Sequence, residues 1–240
     1  MSLEARRVKL WQRLGLGPVW QQRFIAPAGC SEDPAAGAQA PPATAIASMD
    51  WDGLQRAVTA CTACALCETR TQTVFGVGDR NARWMVVGEA PGAEEDARGE
   101  PFVGQAGRLL DRMLAAAGLD RAAGGESAVY IANVLKCRPP ANRNPEPGEV
   151  ARCEPFLRRQ IELLAPRLIL VMGRFAAQSL LATDASIASL RGRAHLIEVG
   201  GGTIPVIVTY HPAYLLRNLA DKAKVWSDLC LAREVFMRKN

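Results

Sequence analysis

Four short apolar runs, rich in Val and Ile, divide the chain from residue 84 onward. They occupy residues 84–87, 128–134, 168–172 and 205–210, and none alternates between apolar and polar positions. Apolar runs of this length without alternation are typical of strands buried on both faces. The pattern therefore predicts four strands in the interior of a sheet.

Helical periodicity separates these runs. It predicts helices at residues 51–60, 105–117, 147–164, 174–182 and 222–238. Strands that alternate with helices indicate an α/β fold with a mostly parallel sheet. In such sheets ligands bind at the carboxyl ends of the strands.

The first 50 residues have a different character. A short amphipathic helix is expected within residues 1–25, and residues 26–48, rich in Ala, Pro and Gly, are typical of a linker. Cys30 in this stretch is expected to be an idle, exposed thiol. We therefore expect an N-terminal extension and linker at 1–50 and one folded domain at 51–240.

The composition of the 240 residues, with 49% hydrophobic and 22% charged side chains, excludes wholesale disorder and coiled-coil classes. No apolar stretch is long enough for a transmembrane helix, and the N-terminus lacks the apolar core of a secretion signal, so we predict a cytoplasmic protein. Residues 1–135 carry 13 basic and 15 acidic side chains, whereas residues 136–240 carry 16 and 9. A basic second half suits either a polyanion-binding face or simple solubility.

The loop GEAPG, residues 88–92, follows the first predicted strand. Gly88 and Gly92 permit a backbone path that side chains would obstruct, and Pro91 stiffens it. Glu89 is the only ionisable group of this loop, so it is a candidate for positioning or polarising a water molecule. The alternative is an exposed acid in an ordinary loop. The loop lacks the pattern of a phosphate-binding loop.

Other strand ends and loops carry further candidates. Phe102 offers a flat wall for a planar ring, and the amide of Asn133 is able to read the edge of a pyrimidine. His211 is a candidate donor to a leaving group. The alternatives are a core Phe, a turn-capping Asn and a structural His.

The leucines and the arginine that follow His211 have two interpretations. Leu215 and Leu216 suit a wedge between stacked bases, with Arg217 on a phosphate, or they are helix core.

Seven cysteines in a cytoplasmic chain favour metal or redox use over disulfides. Cys61 and Cys64 have the spacing of two ligands to one metal or cluster, and Cys137 and Cys153 are the candidates for a second pair. Cys67 leaves a different choice of ligands open. Zinc and an iron–sulfur cluster are both compatible with this spacing.

Three long segments carry a resemblance to a known family. GEAPGAEEDARGEPFVGQAGRLLD, YIANVLKCRPPANRNPEPGE and HPAYLLR occur in this order, and together they closely resemble the family 4 uracil-DNA glycosylases, the iron–sulfur type. The resemblance runs from about residue 57 to about residue 235. It implies a three-layer αβα fold with a central four-stranded parallel sheet. The implied cofactor is a [4Fe–4S] cluster, and its implied ligands are Cys61, Cys64, Cys137 and Cys153.

The resemblance also implies a reaction and a role for each candidate residue. The reaction is hydrolysis of the N-glycosidic bond of deoxyuridine in uracil-containing DNA, which leaves an abasic site. We expect a monomer, which suits an enzyme that scans DNA. The flipped uracil would stack on Phe102 and be read by Asn133, and His211 would stabilise the departing anion. The backbone around Glu89 and Ala90 would hold the water.

One departure bears on mechanism. Family 1 enzymes have Asp where this sequence has Ala90, which makes Glu89 the substitute candidate for the carboxylate. Two alternative functions stay open: a non-catalytic DNA-binding module that carries a cluster, and a glycosylase for another deaminated base.

Overall fold

The computed structural model describes residues 42–238. The helix predicted within residues 1–25, the first part of the predicted linker and Cys30 lie outside the described residues.

One mixed sheet forms the centre of the described structure. Its strands are β1 (Val77–Gly78), β2 (Trp84–Gly88), β3 (Val129–Asn133), β4 (Leu168–Met172), β5 (Ala194–Val199) and β6 (Gly202–Thr209). Their order across the sheet is β1-β3-β2-β4-β6-β5. The central strands β3, β2, β4 and β6 are parallel, and they are the four that the apolar runs predicted.

The prediction of a four-stranded sheet was incomplete because both edges carry a further antiparallel strand. At one edge β1 pairs with β3, and at the other edge β5 pairs with β6. In β5 exposed and half-buried positions alternate, since one face of an edge strand meets solvent. Gly200 and Gly201, with φ of 60° and 77°, form the tight turn between β5 and β6.

Helices cover both faces of this sheet. They are α1 (Ala43–Ala47), α2 (Trp51–Thr59), α3 (Leu66–Thr69), α4 (Ala93–Arg98), α5 (Gln105–Ala116), α6 (Pro147–Leu164), α7 (Arg174–Leu181), α8 (Ile187–Leu190), α9 (Pro212–Leu215) and α10 (Lys222–Arg238). Short 3₁₀ turns lie at Gly125–Ser127, Pro140–Asn142 and Leu219–Asp221. In residues 42–238 no helix has both the length and the apolar character that crossing a bilayer requires.

Successive side chains of each strand point to opposite faces of the sheet, so each face carries its own hydrophobic core. Met85 and Val87 of β2 belong to the cluster that contains residues of α6 and α7. Trp84 and Val86 belong to the opposite cluster, with residues of α5 and α10. The predicted three-layer αβα arrangement is therefore confirmed.

The end of the predicted linker is part of the folded unit. Residues 43–47 form α1, and Ile46 is buried in a cluster with Leu54, Phe75 and Phe156. Burial of Ile46 docks α1 against the domain, and the Ala/Pro-rich composition of the segment does not reveal this contact. The prediction of a linker that extends to residue 48 was therefore wrong for residues 43–47.

Candidate active site

A cavity of about 480 Å³ opens where the parallel strands end. Its walls include eight residues that the sequence predicted, namely Glu89, Ala90, Pro91, Gly92, Phe102, Asn133, His211 and Arg217. Loops after β2, β3 and β6 bring them together, as expected for the carboxyl edge of a parallel sheet. The cavity is therefore assembled from segments far apart in sequence.

Asn133 is the last residue of β3 and lies opposite Gly88 in the strand register. Its side chain is 2% exposed, and its Oδ1 has no hydrogen-bond partner among residues 42–238. An unpaired buried polar atom costs about 1–3 kcal/mol. A ligand that donates to this amide oxygen would remove that cost, so the site is matched to a planar group with a donor at its edge.

Gly88 makes room for both Asn133 and Phe102. A Cβ at residue 88 would lie 2.4 Å from Asn133 Oδ1 and 2.6 Å from Cζ of Phe102. Phe102 itself has a left-handed backbone with φ of 54°, and a Cβ on Gly107 would lie 1.8 Å from its carbonyl oxygen. A non-glycine residue in this conformation costs about 1–3 kcal/mol and is typical of functional sites.

Substituting Gly88 by alanine should displace Asn133 and the Phe102 ring together. We expect about 1–3 kcal/mol of destabilisation from overpacking and loss of ligand binding in the cavity. Thermal unfolding and a binding or activity assay measure these two effects. Gly148→Ala is the matched control, because no atom outside its own helix lies within 4 Å of that Cβ position. Unchanged function in Gly88→Ala would contradict this account of the cavity.

His211 is held as a neutral hydrogen-bond donor. The backbone N–H of Ala213 donates to His211 Nδ1 at 3.1 Å, so the neutral ring carries its proton on Nε2. Burial lowers the pKa of His211 to about 4, and Arg217 acts in the same direction while Glu95 opposes it. The ring stacks against Phe102 with centroids 5.3 Å apart. The cavity thus has a neutral N–H donor beside an aromatic wall.

Glu89 lies half-buried immediately after β2. Burial raises the pKa of Glu89, and the charge of Arg174 opposes this shift. The backbone is fixed because the N–H of Leu135 donates to the carbonyl oxygen of Glu89 at 3.0 Å. A carboxylate with a raised pKa accepts a proton more readily than an exposed one, so this geometry suits a group that orients or deprotonates water.

Glu95 is a cavity residue that the sequence analysis missed. Its Oε1 accepts from the backbone N–H groups of Val103, at 2.9 Å, and Gly104, at 3.2 Å. Its Oε2 accepts from Gly92 N–H at 3.1 Å. One carboxylate therefore joins the GEAPG loop to the loop of Phe102. A Glu three residues after a helix N-cap is the signal that would have revealed it.

A second missed element is the loop that contains Asn142 and Arg143, both of which line the cavity. Ala141 and Asn142 have φ of 53° and 54°. The guanidinium of Arg143 is held by two hydrogen bonds to Glu149, at 2.5 and 2.9 Å. A strained loop with an anchored cation forms this side of the opening.

The two leucines after His211 have different environments. Leu215 is 1% exposed within the core between the sheet and α10, so the prediction that it contacts DNA was wrong, because its packing leaves no free surface. Leu216 is 41% exposed, and Leu219, which the sequence analysis did not single out, is 63% exposed. Arg217 lies at the cavity wall.

A separate cavity is lined by five thiols, those of Cys61, Cys64, Cys67, Cys137 and Cys153. Cys64 accepts a hydrogen bond from the backbone of Leu66, and Cys137 and Cys153 also accept hydrogen bonds. Arg70 donates from its guanidinium to Cys137 Sγ at 3.0 Å, and the backbone N–H of Lys136 donates to Cys153 Sγ at 3.3 Å. Burial raises the pKa of Cys153 to about 12 and also raises those of Cys64 and Cys137. Thiolates in this cavity therefore need a compensating positive group.

The arrangement of the thiols bears on the choice between zinc and a cluster. In the described part of the chain, no three Cys, His, Asp or Glu side chains converge closely enough to hold a metal ion. A zinc ion needs four donors around one point, whereas a four-iron cluster binds each thiolate to a different iron. The five thiols around one cavity are a donor set that is chemically compatible with an iron–sulfur cluster.

Comparison of the sequence with known proteins identifies relatives of this chain. Residues 75–230 match the family model of the Uracil DNA glycosylase superfamily. The type-4 uracil-DNA glycosylase of Archaeoglobus fulgidus is 46% identical over 181 residues, which are 74% of this chain and 88% of that protein. The type-4 enzyme of Thermotoga maritima is 44% identical over 68% of this chain and 82% of its own length. The type-5 enzyme of Thermus thermophilus is 34% identical over 58% and 68%.

Proposed function

The chain belongs to the uracil-DNA glycosylase superfamily, and we propose that it hydrolyses the N-glycosidic bond of deoxyuridine in DNA, releasing uracil and initiating base-excision repair. The observation that carries this proposal is the buried, unpartnered amide oxygen of Asn133 beside the ring of Phe102. Uracil presents a donor, N3–H, next to an acceptor, O4. The amide of Asn133 matches that pair when its oxygen faces N3 and its nitrogen faces O4, whereas cytosine presents an acceptor at N3 and a donor at N4.

A base inside a duplex cannot reach this cavity, so the nucleotide must leave the stack. The cavity volume of about 480 Å³ is ample for one nucleotide. Phe102 supplies the flat wall for the base, and Leu216 fills the gap left in the duplex. The exposure of Leu216 beside the cavity residue Arg217 supports this role. Arg217 then holds a phosphate.

Bond cleavage moves the electron pair of the N1–C1′ bond onto uracil, whose O2 gains negative charge. The neutral His211 ring offers its Nε2 proton as a hydrogen bond to that oxygen. A water molecule held near Glu89 and the backbone of Ala90 adds its oxygen to C1′, and its proton passes to Glu89 or to solvent. The uracil anion then takes up a proton from solvent, and the products are free uracil and an abasic site.

The cysteine cavity is proposed to hold a [4Fe–4S] cluster through Cys61, Cys64, Cys137 and Cys153, with Cys67 as an additional thiol. When bound, the cluster supplies a rigid crosslink among the segments that carry these cysteines. Arg70 and the backbone of Lys136 would stabilise the thiolates by the hydrogen bonds described above. The monomeric state and the cytoplasmic location stay predictions.

Removing one ligand should release the cluster. We expect Cys64→Ala to give colourless, poorly soluble protein, because a buried site loses one of its four anchors. Cys67→Ala is the matched control and should stay brown, with absorption near 400 nm, roughly where thiolate-bound clusters absorb. Visible spectra and iron analysis of both variants measure the difference. A brown Cys64→Ala and a colourless Cys67→Ala would reverse the assignment.

The reaction itself is tested with a labelled oligonucleotide that holds one uracil, followed by alkaline cleavage of abasic sites. We expect a cut at uracil and none at thymine in the same position. A cut only at another deaminated base would change the substrate. Binding without any cut, by brown protein, would instead favour a non-catalytic DNA-binding module.

A further inference from the structure

A lysine is completely buried directly behind the base-reading asparagine. Lys136 is 1% exposed, and its Nζ donates to the backbone carbonyl oxygen of Asn133 at 2.8 Å and to Gln160 Oε1 at 2.5 Å. The mechanism above does not use this side chain. Its position between the uracil cavity and the cysteine cavity therefore calls for an explanation.

The partner of this ammonium is fixed by its own hydrogen bonds. Gln160 is fully buried, and its Nε2 donates to the carbonyl oxygen of Phe75 at 2.9 Å and to the hydroxyl oxygen of Tyr130 at 3.2 Å. With its NH₂ group engaged, Gln160 has only its oxygen left for Lys136. Lys136 is thus held from one side by Gln160 and holds Asn133 on the other.

Both hydrogen-bond acceptors of the ammonium are neutral, and among the described residues no carboxylate forms an ion pair with it. Burying an unpaired charge is expensive, and an apolar side chain would serve packing alone at lower cost. Lys136 itself lines the cysteine cavity together with Cys137 and Cys153. Thiolates in that cavity are therefore negative groups that lie beside this lysine and are able to compensate the ammonium.

The backbone of Lys136 provides a second connection between the uracil cavity and the cysteine cavity. The side chain of Lys136 reaches Asn133, while the backbone N–H of the same residue donates to Cys153 Sγ. Cys137 follows in the chain and also lines the cysteine cavity. One residue thus contacts a cysteine ligand and the peptide of the base-reading residue.

We propose that Lys136 is a positioning residue that couples the two cavities: its ammonium fixes the peptide of Asn133 for uracil recognition and compensates the negative charge of the thiolates of Cys137 and Cys153. This inference rests on the proposed function. It predicts that a single neutral substitution disturbs uracil recognition and cluster retention together, although the two cavities have different walls.

The test compares Lys136→Met, which has similar length but no charge, with Lys222→Met, which removes one exposed lysine. Three quantities are measured: inhibition of excision by free uracil, the lifetime of the visible absorption in air, and the melting temperature. For Lys136→Met we expect roughly tenfold weaker inhibition by uracil, consistent with loss of a charged hydrogen bond, and faster bleaching. Lys222→Met should behave as wild type in all three.

A lower melting temperature with unchanged uracil inhibition and unchanged bleaching would show a merely structural role and overturn the proposal. If Lys136→Met does not fold, Gln160→Met loosens the same ammonium and should show both effects in weaker form; wild-type values in that variant would also overturn it. Failure of wild-type protein to excise uracil would refute the proposed function instead. Labelled uracil binding and bleaching would then still decide whether Lys136 couples the cavities.

Discussion

Replacing His211 by alanine is expected to slow uracil excision by roughly 100- to 1,000-fold, the usual effect of deleting one donor to a developing anion. The ring is preorganised because Ala213 N–H occupies Nδ1 and Phe102 stacks against its face. Among the described cavity residues, His211 is the one side chain that we propose as a donor to the uracil O2. Single-turnover rates with uracil-containing DNA measure the loss, and DNA binding should be nearly unchanged.

The pH dependence of the activity lost in His211→Ala shows whether the acting histidine is neutral or charged. The folded-state pKa of about 4 lies below the ordinary value of 6.5, so the ring stays neutral at every pH above about 5. The loss caused by His211→Ala should therefore be equal at pH 6 and pH 8. Because folding disfavours the protonated ring, His211 lowers the stability of the protein as pH falls from about 6.5 towards 4, so the assays stay at pH 6 and above, where most of that stability is kept.

The other histidine serves as the matched control. His195 lies in the edge strand β5, where its Nε2 is 2.7 Å from the carbonyl oxygen of Leu190. His195→Ala should excise uracil at the wild-type rate. A loss for His211→Ala that disappears at pH 8 would mean that the acting ring is cationic, and it would refute the neutral-donor account.

The sequence was sufficient for the interior of the fold because burial on both faces leaves an unambiguous pattern. β4 coincides with its apolar run, and the major helices begin and end within a few residues of the predicted bounds. The edge strands were missed for two reasons. β1 has only two residues, and the alternation of β5 is short, although Gly200 and Gly201 after it are a hairpin signal.

The candidate site was predictable where residues follow strands and bear distinctive side chains, as Asn133 and His211 do. Residues whose side chains bind backbone groups of other segments were not predictable. Glu95 binds three N–H groups, and Lys136 binds a carbonyl oxygen, so neither belongs to a motif of reacting groups. The environments of Leu215 and Leu216 differ only through tertiary packing, which a pair of adjacent leucines cannot reveal.

Replacing Asn133 by alanine is expected to lower kcat/KM for uracil excision by roughly 10³- to 10⁴-fold, because N3–H and O4 of a buried base would both lose their partner. Asn133 is 2% exposed in the cavity wall, so water does not replace the amide easily. The cluster absorption and the affinity for abasic DNA should persist, since neither depends on this amide. Steady-state kinetics and a gel-shift assay measure the two effects.

Asn133→Asp tests hydrogen-bond recognition of the base while the size and shape of the side chain stay the same. The carboxylate keeps the size of the side chain and an acceptor for N3–H, but it lacks the NH₂ donor and repels O4. We therefore expect Asn133→Asp to lose most of the uracil activity even though the cavity is preserved, whereas Asn81→Ala, at an exposed turn, should retain it. Wild-type excision by Asn133→Asp would show that the donor half of the amide does not read the base. Recognition would then rest on the acceptor oxygen, which Gly88 leaves room for and which Lys136 holds in place through the peptide.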